Sequence, residues 1–190
     1  MSIKFALEIG PGQHPAAKEG DGYSWLTVDH PCNFRDGANG YFAEWGSEML
    51  PLRDDGLDLV YASHVLEHVP WNRTGQALAE AFRVLKPGGT IEIWVPNFAY
   101  LMQCYSEQRC GDDWRRDNPN NDPMTWLNGR LFTYGPEPNF HKACFDYVFL
   151  EQHVRAAGFR ATFRTDLIAH ERGHRHGPIS LGIKGYKPCE

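Results

Sequence analysis

The chain lacks a Cys-x-x-Cys pair, a long apolar run and an excess of positive charge, and each absence argues against a class of function. Its five cysteines (Cys32, Cys104, Cys110, Cys144 and Cys189) are odd in number and never spaced Cys-x-x-Cys. That argues against a disulfide framework or a zinc ribbon, and a reduced, cytoplasmic protein is the simplest reading. No apolar stretch approaches the roughly 20 residues of a membrane span, so no membrane partner is expected. The first residues lack the charged, apolar and small-residue succession of a secretory leader. A net charge of −5 speaks against a nucleic-acid partner, because phosphate neutralisation dominates such binding. The late arginines Arg155, Arg160, Arg164, Arg172 and Arg175 are read as a solvated face. Two nucleotide signatures are also missing. There is no phosphate loop ending in Gly-Lys-Ser/Thr, and Pro15 stands where a dinucleotide fingerprint needs its third glycine.

What the chain does have begins at Ala6-Leu7-Glu8-Ile9-Gly10-Pro11-Gly12. Ile3, Phe5, Leu7 and Ile9 alternate as in a strand. Gly10 and Gly12 then supply a turn whose backbone a ligand can approach. Such a corner after a first strand is where open α/β sheets bind nucleotides. Trp25-Leu26-Thr27-Val28-Asp29 reads as a second strand ending in an acid, suited to accept hydrogen bonds from two vicinal ribose hydroxyls. The competing reading is a plain strand and turn with an incidental surface acid. Between them, Pro15, Gly20 and Gly22 leave room for a turn or two of helix, or a loop.

With 190 residues, 42% hydrophobic and 23% charged, the chain is expected to form one globular domain over 1–190. A short third strand is expected around residues 41–43, and a fourth over residues 57–62. The fourth runs directly into Ser63-His64-Val65-Leu66-Glu67-His68. Apolar spacing predicts a helix over residues 71–85, ended by Lys86-Pro87-Gly88-Gly89. Residues 90–96 alternate as a fifth strand. Asp146 can cap a helix over residues 147–157 that Gly158 stops. Residues 160–169 and 179–186 read as sixth and seventh strands.

The glycine corner, Asp29, the Ser63–His68 string and Lys86-Pro87-Gly88-Gly89 stand in the order of class I S-adenosylmethionine-dependent methyltransferases, and most closely resemble the type-11 methyltransferase domain. The resemblance covers residues 3–97. It implies a Rossmann-like α/β fold: a mostly parallel sheet, a C-terminal antiparallel hairpin and, here, a shortened helix after the first strand. It implies S-adenosylmethionine as cofactor. Glu8, Gly10, Gly12, Asp29, Ser63 and His64 would be cofactor contacts. The family often carries an acid that reaches the adenine amino group. Gly46 aligns there, so groups near Ser47, Glu48 and Met49 would serve instead.

Residues 97–145 depart from the family pattern. Residues 109–123 read as a polar loop, and aromatics interrupt the rest. A cap over a small-molecule acceptor is one reading; a satellite hydrophobic cluster is the other. His64 and His141 are the candidate catalytic bases, each weighed against a merely packed or hydrogen-bonded histidine. No metal is expected. His64 and His68 share a helical spacing but lack the His-Glu-x-x-His order of zinc proteases, and His170, His174 and His176 lack a fixed ligand frame. Two further readings stay open: a binding or regulatory protein that keeps the fold without transfer, and a nicotinamide-dependent oxidoreductase, which Pro15 disfavours.

Overall fold

The computed structural model describes residues 3–12, 21–30, 40–109, 122–133, 139–166 and 174–189, without the side chains of 40–42 and 174–176. Seven strands form one sheet: β1 (Lys4–Ile9), β2 (Tyr23–Asp29), β3 (Gly40–Phe42), β4 (Leu57–Ser63), β5 (Leu85–Pro96), β6 (Arg160–Arg164) and β7 (Ser180–Tyr186). Their order is β3-β2-β1-β4-β5-β7-β6. The first five are parallel, and β7 runs antiparallel between β5 and β6. β1 and β4 are therefore neighbours at the point where the strand order reverses. Open α/β sheets bind ligands in the crevice outside the carboxyl ends of such a pair.

The inner strands are buried on both faces, which is why they read as near-continuous apolar runs. Ala6, Leu7, Ile9, Leu59, Val60, Tyr61 and Ala62 are all essentially inaccessible. Two helices, α1 (Thr74–Val84) and α4 (Tyr147–Ala156), contribute Ala77, Leu78, Ala81, Val84, Leu150 and Val154 to the main core. The Asp146 side chain accepts from the Phe149 N–H and starts α4 as the sequence predicts; Gly158, at φ 109°, ends it.

Two differences from the sequence reading have clear causes. β5 begins at Leu85 rather than Thr90. Leu85 pairs with Leu57 across an irregular register, a long-range contact that brings the Lys86–Gly89 breaker into the strand as a bulge, with Gly88 at φ 79°. The insert also contains two helices, α2 (Phe98–Ser106) and α3 (Pro123–Phe132), each capped by an acceptor side chain, Asn97 or Asp122. Leu101, Cys104, Trp126 and Leu127 bury a second small core between them, so these residues form a satellite cluster. The shortened helix after β1 and residues 110–121 of the polar tract fall outside the described residues. His170 does too, while His174 and His176 lie in a 3-10 segment without described side chains. Among the described residues no helix is long and apolar enough to cross a membrane.

Candidate active site at the β1–β4 edge

Gly10 and Gly12 both take the left-handed conformation, at φ 65° and 53°, yet lack a side chain for different reasons. A Cβ on Gly10 would stand 2.4 Å from Val65 Cγ2. The corner after β1 is thus packed directly on the segment that follows β4. A Cβ on Gly12 would meet nothing within 4 Å among the described residues. The Gly10 N–H donates to the Val28 carbonyl at 2.7 Å. The Gly12 N–H points to Asp29 Oδ2 at 3.3 Å, and the His30 N–H donates to Asp29 Oδ1 at 2.7 Å. The corner and the acid predicted to act together are therefore in contact. Glu8 is buried within β1, flanked in register by Thr27 and Tyr61.

Gly46 has no room for an acid. It sits at φ 87°, and a Cβ there would lie 2.6 Å from Val69 Cγ1. The turn it belongs to is pinned instead by Trp45 Nε1–H donating to the Ala77 carbonyl at 2.7 Å and by Arg73 Nη1–H donating to Ser47 Oγ at 2.6 Å. Glu48 and Met49 are exposed beside it, Met49 at 69%. Arg83 then braces the following stretch, donating to the Leu50 and Leu52 carbonyls and to Glu80. Those bonds hold the Glu80 carboxyl below the ordinary carboxylate range despite partial burial.

Ser63 ends β4, and His64 follows with φ 56°, a conformation that costs a non-glycine residue about 1–2 kcal/mol and needs external support. The support is visible. The His64 N–H donates to the Trp94 carbonyl at 2.8 Å, and its Nε2 lies 2.9 Å from Oγ of the buried Ser180. Its Nδ1 stands 3.3 Å from Glu67 Oε1, near enough for ion pairing but off the line of a hydrogen bond.

Glu67, which the sequence reading assigned no role, is the hub of this region. Its only sequence signal is an acid inside the apolar Val65-Leu66-Glu67 run. It is 1% exposed. Its main-chain carbonyl accepts from the Lys142 and Ala143 N–H groups at 2.6 and 3.1 Å, which draws His141 onto the Leu66–His68 turn. The His68 and His141 rings meet edge to face at 4.8 Å. Burial alone would raise the Glu67 carboxyl, but His64, with His68 and His141, holds it below the usual range. Burial pushes the His141 imidazole down, Glu67 opposes this, and His68 and His64 reinforce it. The two histidines expected as bases thus flank one buried carboxylate. His141 also lines a pocket with Pro96, Phe98, Leu101, Arg130 and Leu131, where the insert meets the end of β5.

Residues 7–93 match the family described as a methyltransferase domain. A curated relative from Mycobacterium ulcerans, described as an uncharacterized methyltransferase, is 33% identical over 100 residues; this chain is covered to 47% and spans 38% of the relative's length. A SAM-dependent methyltransferase structure from Archaeoglobus fulgidus superposes with a TM-score of 0.63 at 19% identity, covering 97% of this chain and 86% of that one. One from Methanosarcina mazei does so at 0.56 and 19%, covering 100% and 95%. Motif order, strand order and these likenesses agree: the chain has the Rossmann-like fold of class I S-adenosylmethionine-dependent methyltransferases, and residues 7–93 match the methyltransferase-domain family.

Proposed function

We propose that the chain transfers a methyl group from S-adenosylmethionine to a small-molecule acceptor. The observation that carries this is the contact between Asp29 and the Gly12 N–H, beside a glycine whose Cβ would touch none of the described residues. The site fits the cofactor: a left-handed glycine corner presents bare backbone, and the Asp29 carboxylate stands beside it. When bound, the cofactor supplies an electrophilic methyl on a sulfonium, so the protein's task is to position the partners and exclude water. Asp29 would accept from the ribose hydroxyls. Gly10 and Gly12 would admit the cofactor, with Glu8 supporting the corner. The exposed turn at Glu48 and Met49 would flank the adenine, and Ser63 and His64 would line the methionine end. His64 or His141 would take up the acceptor's proton, His141 the better suited because its depressed pKa keeps it neutral. Residues 97–145 would cap the acceptor.

Calorimetry and thermal shift test the reading: S-adenosylmethionine or S-adenosylhomocysteine should bind and raise Tm, and NAD should not. A shift with NAD alone would overturn the assignment. A second reading, a cofactor-fold protein without transfer, draws on Gly46, whose packing leaves no space for the family's adenine acid. It predicts cofactor binding with no methylated product across a broad acceptor panel.

A further inference from the structure

We propose that Glu67, His68 and His141 form a binding site for one divalent transition-metal ion, with Zn2+ the best match. The three side chains each offer a ligand atom, and these atoms lie within 4.8 Å of one another. Zinc ligands at about 2.0–2.1 Å from the ion stand about 3.4 Å apart in a tetrahedron. Binding therefore draws the groups together by up to about 1.4 Å.

Burial gives the second, independent argument. Glu67 is 1% exposed, and among the described residues neither carboxylate oxygen has a hydrogen-bond partner. A carboxylate taken out of water in this state is costly unless a cation or donors satisfy it. His64 Nδ1, at 3.3 Å, is misaligned for that task and has Ser180 on its other nitrogen.

His68 is prepared as a ligand. His68 Nδ1 lies 3.4 Å from the Phe140 carbonyl. A metal-bound imidazole characteristically gives its other nitrogen to such an acceptor, which fixes tautomer and ring direction. The frame is main-chain built: the Glu67 carbonyl takes the Lys142 and Ala143 N–H groups, so the ligands from two distant segments are held together by backbone hydrogen bonds.

The donor set selects the ion. One carboxylate and two imidazoles suit zinc and its first-row neighbours, and three protein ligands leave a fourth position for water or substrate. Calcium and magnesium require mostly oxygen ligands. His141 also belongs to the pocket wall, so the ion would sit beside that pocket. The proposal goes beyond methyl transfer and is read without it; with the His141 imidazole bound to the ion, His64 is the base left for an acceptor's proton.

The test is calorimetry with Zn2+ and Co2+ on tag-free, chelator-treated full chain, with the Co2+ absorption spectrum as a ligand-field signature. One ion per chain is expected. Glu67→Gln and His68→Ala should each weaken binding on the order of a hundredfold or more. His68 is half-buried, so His68→Ala keeps the test valid should Glu67→Gln fail to fold. A variant with His170, His174 and His176 all changed to Ala should bind as the parent does. Absence of binding by the parent, unchanged affinity in His68→Ala, or loss confined to the triple loop variant would each overturn the proposal.

Discussion

Gly10→Ala should destabilise the protein by an amount that separates into two measurable parts. The first is conformational: Gly10 sits at φ 65°, where an L-residue pays about 1–2 kcal/mol. The second is steric: the new methyl would lie 2.4 Å from Val65 Cγ2 and 3.1 Å from Cγ1. Overpacking of this kind costs about 1–3 kcal/mol. Together they predict a loss of about 2–5 kcal/mol, a large share of a typical stability of about 5–15 kcal/mol. Urea unfolding of the parent, Gly10→Ala, Val65→Ala and the double variant measures both parts. In the Val65→Ala background the steric part should disappear, leaving only the backbone cost of about 1–2 kcal/mol. The coupling between the two sites should then be about 1–3 kcal/mol, in the range seen for residues in contact. Gly12→Ala is the internal control. Its φ is 53° and its Cβ would meet nothing within 4 Å among the described residues, so it should show the backbone cost alone. Either of two results would refute the reasoning: Gly10→Ala as stable as the parent, or an equal cost of Gly10→Ala in the parent and in the Val65→Ala background.

Other consequences follow from the same geometry. Asp29→Asn replaces a charged acceptor at the glycine corner. Hydrogen bonds to charged groups are worth about 1.5–3 kcal/mol, so calorimetric affinity for S-adenosylmethionine should fall roughly ten- to a hundredfold; an unchanged Kd in a folded variant would place the ribose elsewhere. Glu80 has its folded pKa lowered below 4.5, chiefly by Arg83. A depressed carboxylate contributes stability above its unfolded pKa and loses it as pH falls through the folded value. Acid unfolding of the parent should therefore steepen below about pH 4.5, and Glu80→Gln should flatten that limb; a parallel pH profile for the two proteins would contradict this. Deleting residues 110–121, which spares the Asp122 cap of α3, should leave cofactor affinity intact and weaken acceptor turnover. A deletion variant with the parent's turnover would make the tract a plain solvated loop.

What was legible in the sequence was local. Alternating apolar residues marked β1 and β2. Helical spacing marked α1, and Asp146 with Gly158 bracketed α4. These signals depend on backbone preference and on one buried face, which neighbouring residues encode. The order of Gly10, Gly12, Asp29 and the Ser63–His68 string was enough to name the fold through its resemblance to class I methyltransferases, whereas the seating of β1 beside β4 is a long-range pairing. Tertiary structure decided what depends on distant partners. Lys86–Gly89 follows the end of α1 as a terminator should, but it also belongs to β5, as an irregular stretch with Gly88 at φ 79° that the Leu57–Leu85 pair joins to the sheet. Gly46 reads as a missing acid but is a glycine because Val69 occupies the space of its side chain. Glu67 reads as one acid in an apolar string. It becomes the centre of a histidine cluster because its carbonyl hydrogen-bonds the main chain of Lys142 and Ala143 and so brings His141 to His68. No local pattern encodes that meeting, since it is made by main-chain groups that every residue carries.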